Sequence, residues 1–313
     1  MRSTLAIAAG LVLAGAAAAP ATAVTASTAP ATAVTATADA PKGAYWRVEQ
    51  IRTAMHPKPV GSGYHLIERS VSVDWLSLAG KNWWGFRKLG AKPATPKDEA
   101  AWRADGSPTS WAYRVEGMKV RVSTRPDKGS VMPTKGRRDG FHVGEKLMTY
   151  QQLQALPAEV EPLRRYLTEQ TDAWIDKAAE EAKSTDPRAT KNDWLVNRDR
   201  YVAERAIPLL YENPVPEKVR AAAYQVLKTT KGVTDLGRVT DPLGRSGHKL
   251  ALPVLTKKNT VLKQYYVVDT RTMTLLAEYT DLKDDRAPVH GKSDTTTFTV
   301  GWTNDKPAVP GVS

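Results

Sequence analysis

Between residues 214 and 279 the chain passes from one amphipathic helix into extended segments separated by turns of only three or four residues, and this succession constrains the fold more than any other stretch. Connections so short join antiparallel neighbours, because a parallel pair needs a crossover of about a dozen residues or more. The helix begins at Pro216, whose ring presets φ and whose missing N–H is one a first turn leaves unpaired anyway. Val219, Ala222, Ala223, Val226 and Leu227 recur at helical spacing, with Glu217, Lys218, Arg220, Gln225 and Lys228 on the other face, so one stripe is buried. Gly232 supplies the left-handed residue that ends such a helix near Lys231. Strands rich in Val, Leu, Thr and Tyr then follow at residues 234–240, 249–255, 261–269 and 274–279, with turns at 241–244, 257–259 and 270–272.

The N-terminal end predicts export. Arg2 precedes a short apolar run at residues 5–19, and Ala21-Thr22-Ala23 forms a small-residue cleavage site, so residues 1–23 read as a signal peptide. The run is shorter than the roughly 20 residues that span a bilayer, so no transmembrane anchor is expected after cleavage. The sequence contains no cysteine, which excludes a lipid-anchoring cysteine, disulfides, thiol nucleophiles and cysteine metal sites. Residues 24–42 are almost wholly Ala, Thr, Pro and Val and read as a disordered linker, because such small side chains bury too little surface to offset the entropy of ordering them. Residues 43–303 are expected to form a single domain, with residues 304–313 a loose tail.

Within that domain, residues 45–54, 64–78 and 82–89 predict three long strands, and 111–115 with 119–122 a further hairpin. Residues 91–108 read as polar turns. Two helices are expected next. Val160, Leu163, Leu167, Trp174, Ala178 and Ala182 stripe the first; Asp193 would cap the second, with Leu195, Val202, Ala206 and Leu209 buried. One last strand falls at 295–302. The sum is an α+β fold: a large curved antiparallel sheet, built from strands before and after a central group of about three helices that cover it.

The runs PVPEKVRAAAYQVLKTTKGVTDLGRVTDPLGRSG and YYVVDTRTMTLLAEY, with YWRVEQ at residues 45–50 and EAAWRADGSPTSW at 99–111, resemble a family of uncharacterised exported or membrane-anchored actinobacterial proteins. Many of that family are encoded beside alternative sigma factors, and the resemblance brings no catalytic residue. In architecture the expected fold is similar to half-barrel carriers of the LolA, LppX and RseB kind, an analogy of shape that implies a ligand in a concavity.

Trp75, Trp83, Trp84 and Phe86 are therefore the candidate ligand-binding residues, as core or as the lining of a pocket for a lipid or another hydrophobic ligand. A second candidate is the basic stretch 117–140, which holds seven Lys and Arg against two Asp within a chain of net charge +12. Its Lys128, Lys135, Arg137 and Arg138 would offer a surface to an anionic cell-wall polymer. No nucleic-acid fold signature accompanies these residues, and nucleic acid is not an expected partner. The five histidines show no metal-ligand spacing, and G-x-S-x-G, P-loop and dinucleotide motifs are absent, so neither cofactor nor metal is expected. Ser246-Gly247-His248-Lys249 matches S-x-x-K without the partner motifs that give the pattern meaning. Asp281, Asp284 and Asp285 lack calcium-loop spacing. The leading expectation is a secreted, non-catalytic binder of a hydrophobic or cell-envelope ligand. A wall-docking protein and a hydrolase with a dispersed site are the alternatives. A hydrolase requires convergent polar groups in its main pocket, and paired acids among such residues as Glu49, Glu68, Glu99 or Glu116 would have to meet there.

Overall fold

The computed structural model describes residues 41–56, 58–115, 118–134, 140–257, 260–284 and 292–312. The expected signal peptide and nearly all of the linker lie outside them. Strands β1 (Tyr45–Met55), β2 (Leu66–Ser77) and β3 (Trp83–Pro93) form a meander. Helix α1 (Pro96–Ala104), the hairpin β4 (Ser110–Val115) and β5 (Met118–Ser123), strand β6 (Ser130–Pro133) and the small hairpin β7 (Phe141–Val143) and β8 (Lys146–Met148) follow. Next come α2 (Tyr150–Gln154), α3 (Val160–Lys183), α4 (Asn192–Leu195), α5 (Arg198–Ala206), a 3-10 turn (Ile207–Leu210) and α6 (Glu217–Thr229). Strands β9 (Thr234–Thr240), β10 (Ser246–Ala251), β11 (Leu255–Lys257), β12 (Thr260–Asp269), β13 (Thr274–Asp284) and β14 (Lys292–Thr303) complete the order.

The expected α+β class holds. One curved, open antiparallel sheet of ten strands runs in the order β6-β3-β2-β1-β14-β13-β12-β10-β9, with β11 paired to β12. Two meanders, one from each end of the chain, meet where β1 pairs β14 from Tyr45 opposite Thr303 to Ala54 opposite Asp294. Three helices, α3, α5 and α6, carry most of the covering layer. Leu163, Leu167, Val202, Leu209, Val226 and Leu227 meet Leu250, Tyr266, Val268, Leu275 and Phe298 of the sheet in the main core. Each fully buried aliphatic side chain of this set contributes about 1.5–3 kcal/mol.

Several boundaries differ from expectation for identifiable reasons. The α3 stripe runs Leu163, Leu167, Thr171, Ile175, Ala179, so Trp174 flanks it. Thr171 belongs inside because its hydroxyl donates to the Leu167 carbonyl at 2.8 Å, which satisfies the one polar atom. The expected second helix is broken into α4 and α5, leaving Leu195 39% exposed. Asp193 accepts from the Thr190 N–H at 2.8 Å, a local turn rather than a helix cap. Residues 91–108 contain a helix, α1, where Thr95 caps the Asp98 N–H. α6 stops at Thr229, ahead of Gly232, which does take a left-handed φ of 84°.

Arg200, only 2% exposed, ties α5 to the sheet. It lies 2.8 Å from Glu204, at an angle that leaves its Nε–H without a linear hydrogen bond, and its terminal nitrogens donate to the Pro253 carbonyl and Gln264. Gln264 in turn donates to Glu278 at 3.1 Å, and Tyr266 does so at 3.3 Å. A buried charge with this many partners is tolerated, whereas removing one partner would strand the rest. At the other end, buried His56 lies 3.2 Å from Glu68 and contacts the Tyr113 hydroxyl, which fastens the β4–β5 hairpin to β1 and β2.

The C-terminal segment expected to be loose is mostly exposed but is anchored at Pro310. Pro310 is buried, its carbonyl accepts from Arg87 Nη1 at 3.0 Å, and its ring lies where a Cβ on Gly85 would meet both it and Trp75. Asn304 Oδ1 also accepts from the Ala44 N–H at 3.1 Å. Deleting residues 305–313 should therefore cost about 1–3 kcal/mol in urea denaturation, the scale of one or two uncovered apolar side chains. A loose tail would leave the midpoint unchanged.

Candidate functional site

Adjacent strand residues point to opposite faces, so Trp83 and Trp84 lie on opposite sides of the sheet. Pairing register puts Trp83 opposite Trp75, and both join Val71, Val73, Ile51 and Val131 on the face away from the helices. Trp75 is 4% exposed beneath Pro310 and is core. Trp84 and Phe86 point to the helix side, where their rings stack at 5.5 Å and 16°. The four expected ligand-binding aromatics therefore divide into two pairs, and only Trp84 and Phe86 occupy the face on which a cleft forms.

That cleft holds about 550 Å³. Its floor is the helix-side face of β1 and β2, where Val48, Gln50, Ser72, Asp74 and Leu76 project inward, with Trp84 alongside and Trp83 touching one edge. Its roof is the turn that follows the 3-10 segment, bearing Tyr211 and Glu212, and its side is the β7 strand with His142. The turn is clamped from three directions. Trp46 Nε1 donates to the Tyr211 carbonyl at 3.0 Å, Asn213 Nδ2 donates to the His142 carbonyl at 2.8 Å, and Gln154 Nε2 donates to the Pro214 carbonyl at 2.8 Å. Asn82, 3% exposed, closes one end by accepting from the Ser77 N–H at 3.0 Å and donating to the Gly140 carbonyl at 3.2 Å.

The lining is polar, and several of its groups are free. Gln50, Ser72 and Glu212 make no side-chain hydrogen bond among the described residues, so their capacity is directed into the cleft. Glu212 also lines a second, smaller cavity of about 250 Å³ that shares His142 and Gly144 with the first. Burial, reinforced by the negative charge of Asp74, pushes the Glu212 carboxyl up to about 7. Burial likewise raises the neighbouring Tyr211 hydroxyl, which stays protonated as a donor. A carboxyl held near neutrality in a cleft, beside a second acid, can donate or accept a proton at physiological pH.

The acids weighed from sequence lie elsewhere. Glu49 pairs with Arg47, Glu68 with His56 and Lys88, and Glu99 with Arg103, while Glu116 is outside the described residues. Asp74 and Glu212 take their place. Of the basic set, Lys128 is exposed, and Lys135, Arg137 and Arg138 lie outside the described residues, though the flanking Thr134 and Gly140 both line the cleft. Ser246 and Lys249 fall on opposite faces of β10. Lys249 lies over the rings of Tyr265 and Tyr279 at 4.6 and 4.8 Å, so the S-x-x-K match brings no serine–lysine pair together. Asp281 accepts from Ser293 at 2.8 Å, and Asp285 lies outside the described residues. Among the described residues no three His, Asp or Glu side chains are placed to share a metal ion, and no helix is long and apolar enough to cross a membrane.

A scan against models of known protein families finds no match, and no curated protein matches the chain.

Glu212 has a stability consequence of determinable sign. Its folded value near 7 exceeds its ordinary 4.5, so the folded state binds the proton more tightly. The stabilisation is complete below about pH 4.5 and is lost as pH rises to about 7. Glu212→Gln should remove that slope, gaining roughly 2 kcal/mol relative to the parent between pH 5 and pH 8, a figure reduced for cleft water. Urea midpoints at the two pH values measure it; parallel curves for parent and variant would contradict the assignment.

Proposed function

We propose that this protein binds a polar, hydroxyl-rich ligand of the saccharide class in the cleft beneath Tyr211 and Glu212. The observation that carries the reading is the meeting, around one cavity, of Trp84, backed by the stacked Phe86 ring, with Gln50, Ser72 and Glu212, whose side chains have no hydrogen-bond partner among the described residues. Sugars present hydroxyls for the former and an apolar C–H face for the latter, whereas a lipid pocket would be nearly all apolar. The lining favours a polar ligand over the hydrophobic one expected from the neighbouring tryptophans and the half-barrel analogy. Export, expected from residues 1–23, and kinship with exported actinobacterial proteins belong to the same proposal and direct it to saccharides of the cell envelope.

A second reading has its own support: Glu212, poised near pH 7 beside Asp74, has the properties of a general acid in glycoside hydrolysis. Soluble oligosaccharides released from cell walls serve to test both. Trp84→Ala should weaken binding about tenfold or more by calorimetry, equivalent to about 1.4 kcal/mol, while Trp75→Phe, on the other face, leaves it unchanged. Equal affinity of Trp84→Ala and the parent would remove the binding site from this cleft. Where the oligosaccharide is also shortened on incubation, Glu212→Gln should stop the cleavage and retain binding; cleavage that persists in Glu212→Gln rules out the acid role.

A further inference from the structure

The smaller cavity contains two polar atoms that the fold leaves unsatisfied. Arg205 Nε and His142 Nε2 are both buried, and neither has a hydrogen-bond partner. Both residues line the same cavity of about 250 Å³. The Arg205 guanidinium forms no ion pair among the described residues; it lies 5.7 Å from the centre of the Trp174 ring. Burial lowers its pKa from the ordinary arginine value, with nearby Glu145 and Glu204 opposing that shift. A buried donor without an acceptor costs about 1–3 kcal/mol, and more when the group is charged. Such a group in a native fold calls for a water, an ion or a ligand as its missing partner.

The surroundings hold the guanidinium in place. Trp174, itself edge-on to Tyr201 at 5.0 Å, offers a ring face, which positions a cation without neutralising it. Gly144, with φ 61°, at the β7–β8 turn, also closes on it; a Cβ there would collide with Arg205 Nη1. The acids of the cavity do not supply the partner. Glu204 is engaged by Arg200 at 2.8 Å, and Glu212 has a raised pKa and opens onto both cavities.

We infer that this cavity is a subsite for an oxyanion, a carboxylate or phosphate carried by the ligand of the main cleft and received by Arg205 and His142. The planar fork of an arginine matches such groups and holds them by charge-assisted hydrogen bonds. His142, Gly144 and Glu212 border both cavities, so a ligand whose sugar ring lies over Trp84 would have the Arg205 cavity as its neighbour. The inference rests on the saccharide reading for the remainder of the ligand, and it narrows that ligand to an acidic or phosphorylated sugar.

Inorganic phosphate, titrated at constant ionic strength, tests the subsite without any sugar. The ¹⁵N signal of Arg205 Nε–H, assigned by its absence in Arg205→Lys, should move and saturate. Arg205→Gln should reduce phosphate affinity about tenfold or more, in keeping with loss of a charge-assisted pair. Gly144→Ala, which keeps the charge and displaces Nη1, should also weaken it. Neutral oligosaccharide binding should persist in Arg205→Gln, because Arg205 borders only the smaller cavity. A stationary Arg205 signal, or phosphate affinity unchanged in Arg205→Gln, overturns the subsite even where neutral sugars bind. Failure of neutral sugars with phosphate bound at Arg205 overturns the cleft reading and leaves the anion site standing. Parallel titrations with a uronate oligosaccharide and a sugar phosphate then distinguish which oxyanion the site takes.

Discussion

The antiparallel pairing of β1 with β14 is the contact on which the rest of the structure depends. It joins strands from opposite ends of the domain and converts two separate meanders into one sheet. Because strand residues alternate between faces, its register also decides which side chains meet the helices: Trp46, Val48 and Gln50 opposite Trp302, Val300 and Phe298. A slip of one residue would turn Gln50 outward and bring Glu49 in. The clamp of Trp46 onto the Tyr211 carbonyl would be lost with it.

The two halves of this sheet use their helix-side faces differently. On β10, β12 and β13 that face carries Leu250, Tyr266, Val268 and Leu275, which pack directly against α3, α5 and α6. On β2 the same face carries Ser72 and Asp74, while Val71, Val73 and Trp75 turn the other way and are covered in part by the C-terminal segment at Pro310. Helices cannot pack closely on Ser and Asp without leaving polar groups unsatisfied, so the covering layer stands off and a cleft remains. The C-terminal segment and the cleft thus have a common origin in the alternation of β2.

Much of the architecture was legible in the sequence because it is written in local periodicity. Val219 to Leu227 marked α6, and the short turns after Thr240 and Asp269 marked antiparallel strands. Features set by distant residues were not legible: Thr171 entering a core stripe, α5 separating from α4, and Pro310 settling beside Trp75. For the site, the sequence drew attention to a run of aromatics, and alternation then divided Trp83 from Trp84. Asp74 carried a readable sign, since a strand with Ser70, Ser72 and Asp74 on one face and Val71, Val73 and Trp75 on the other announces which face is apolar. Which face meets the helices required the β1–β14 register. Glu212 had no local signature: a single acid in a turn acquires its raised pKa only when burial and Asp74 surround it.

The unifying physical idea is a polar cleft maintained by a layer of helices that cannot close on it, with Glu212, its carboxyl raised by burial, in its roof. Its most direct test is native mass spectrometry of the gently purified chain, before and after organic extraction, with water-soluble cell-wall saccharides then added. The expected result is a saccharide mass that stays bound through gentle ionisation, with no lipid mass removed by extraction. A discrete lipid that extraction strips away, together with no retained saccharide, would contradict the account and return the site to a hydrophobic ligand.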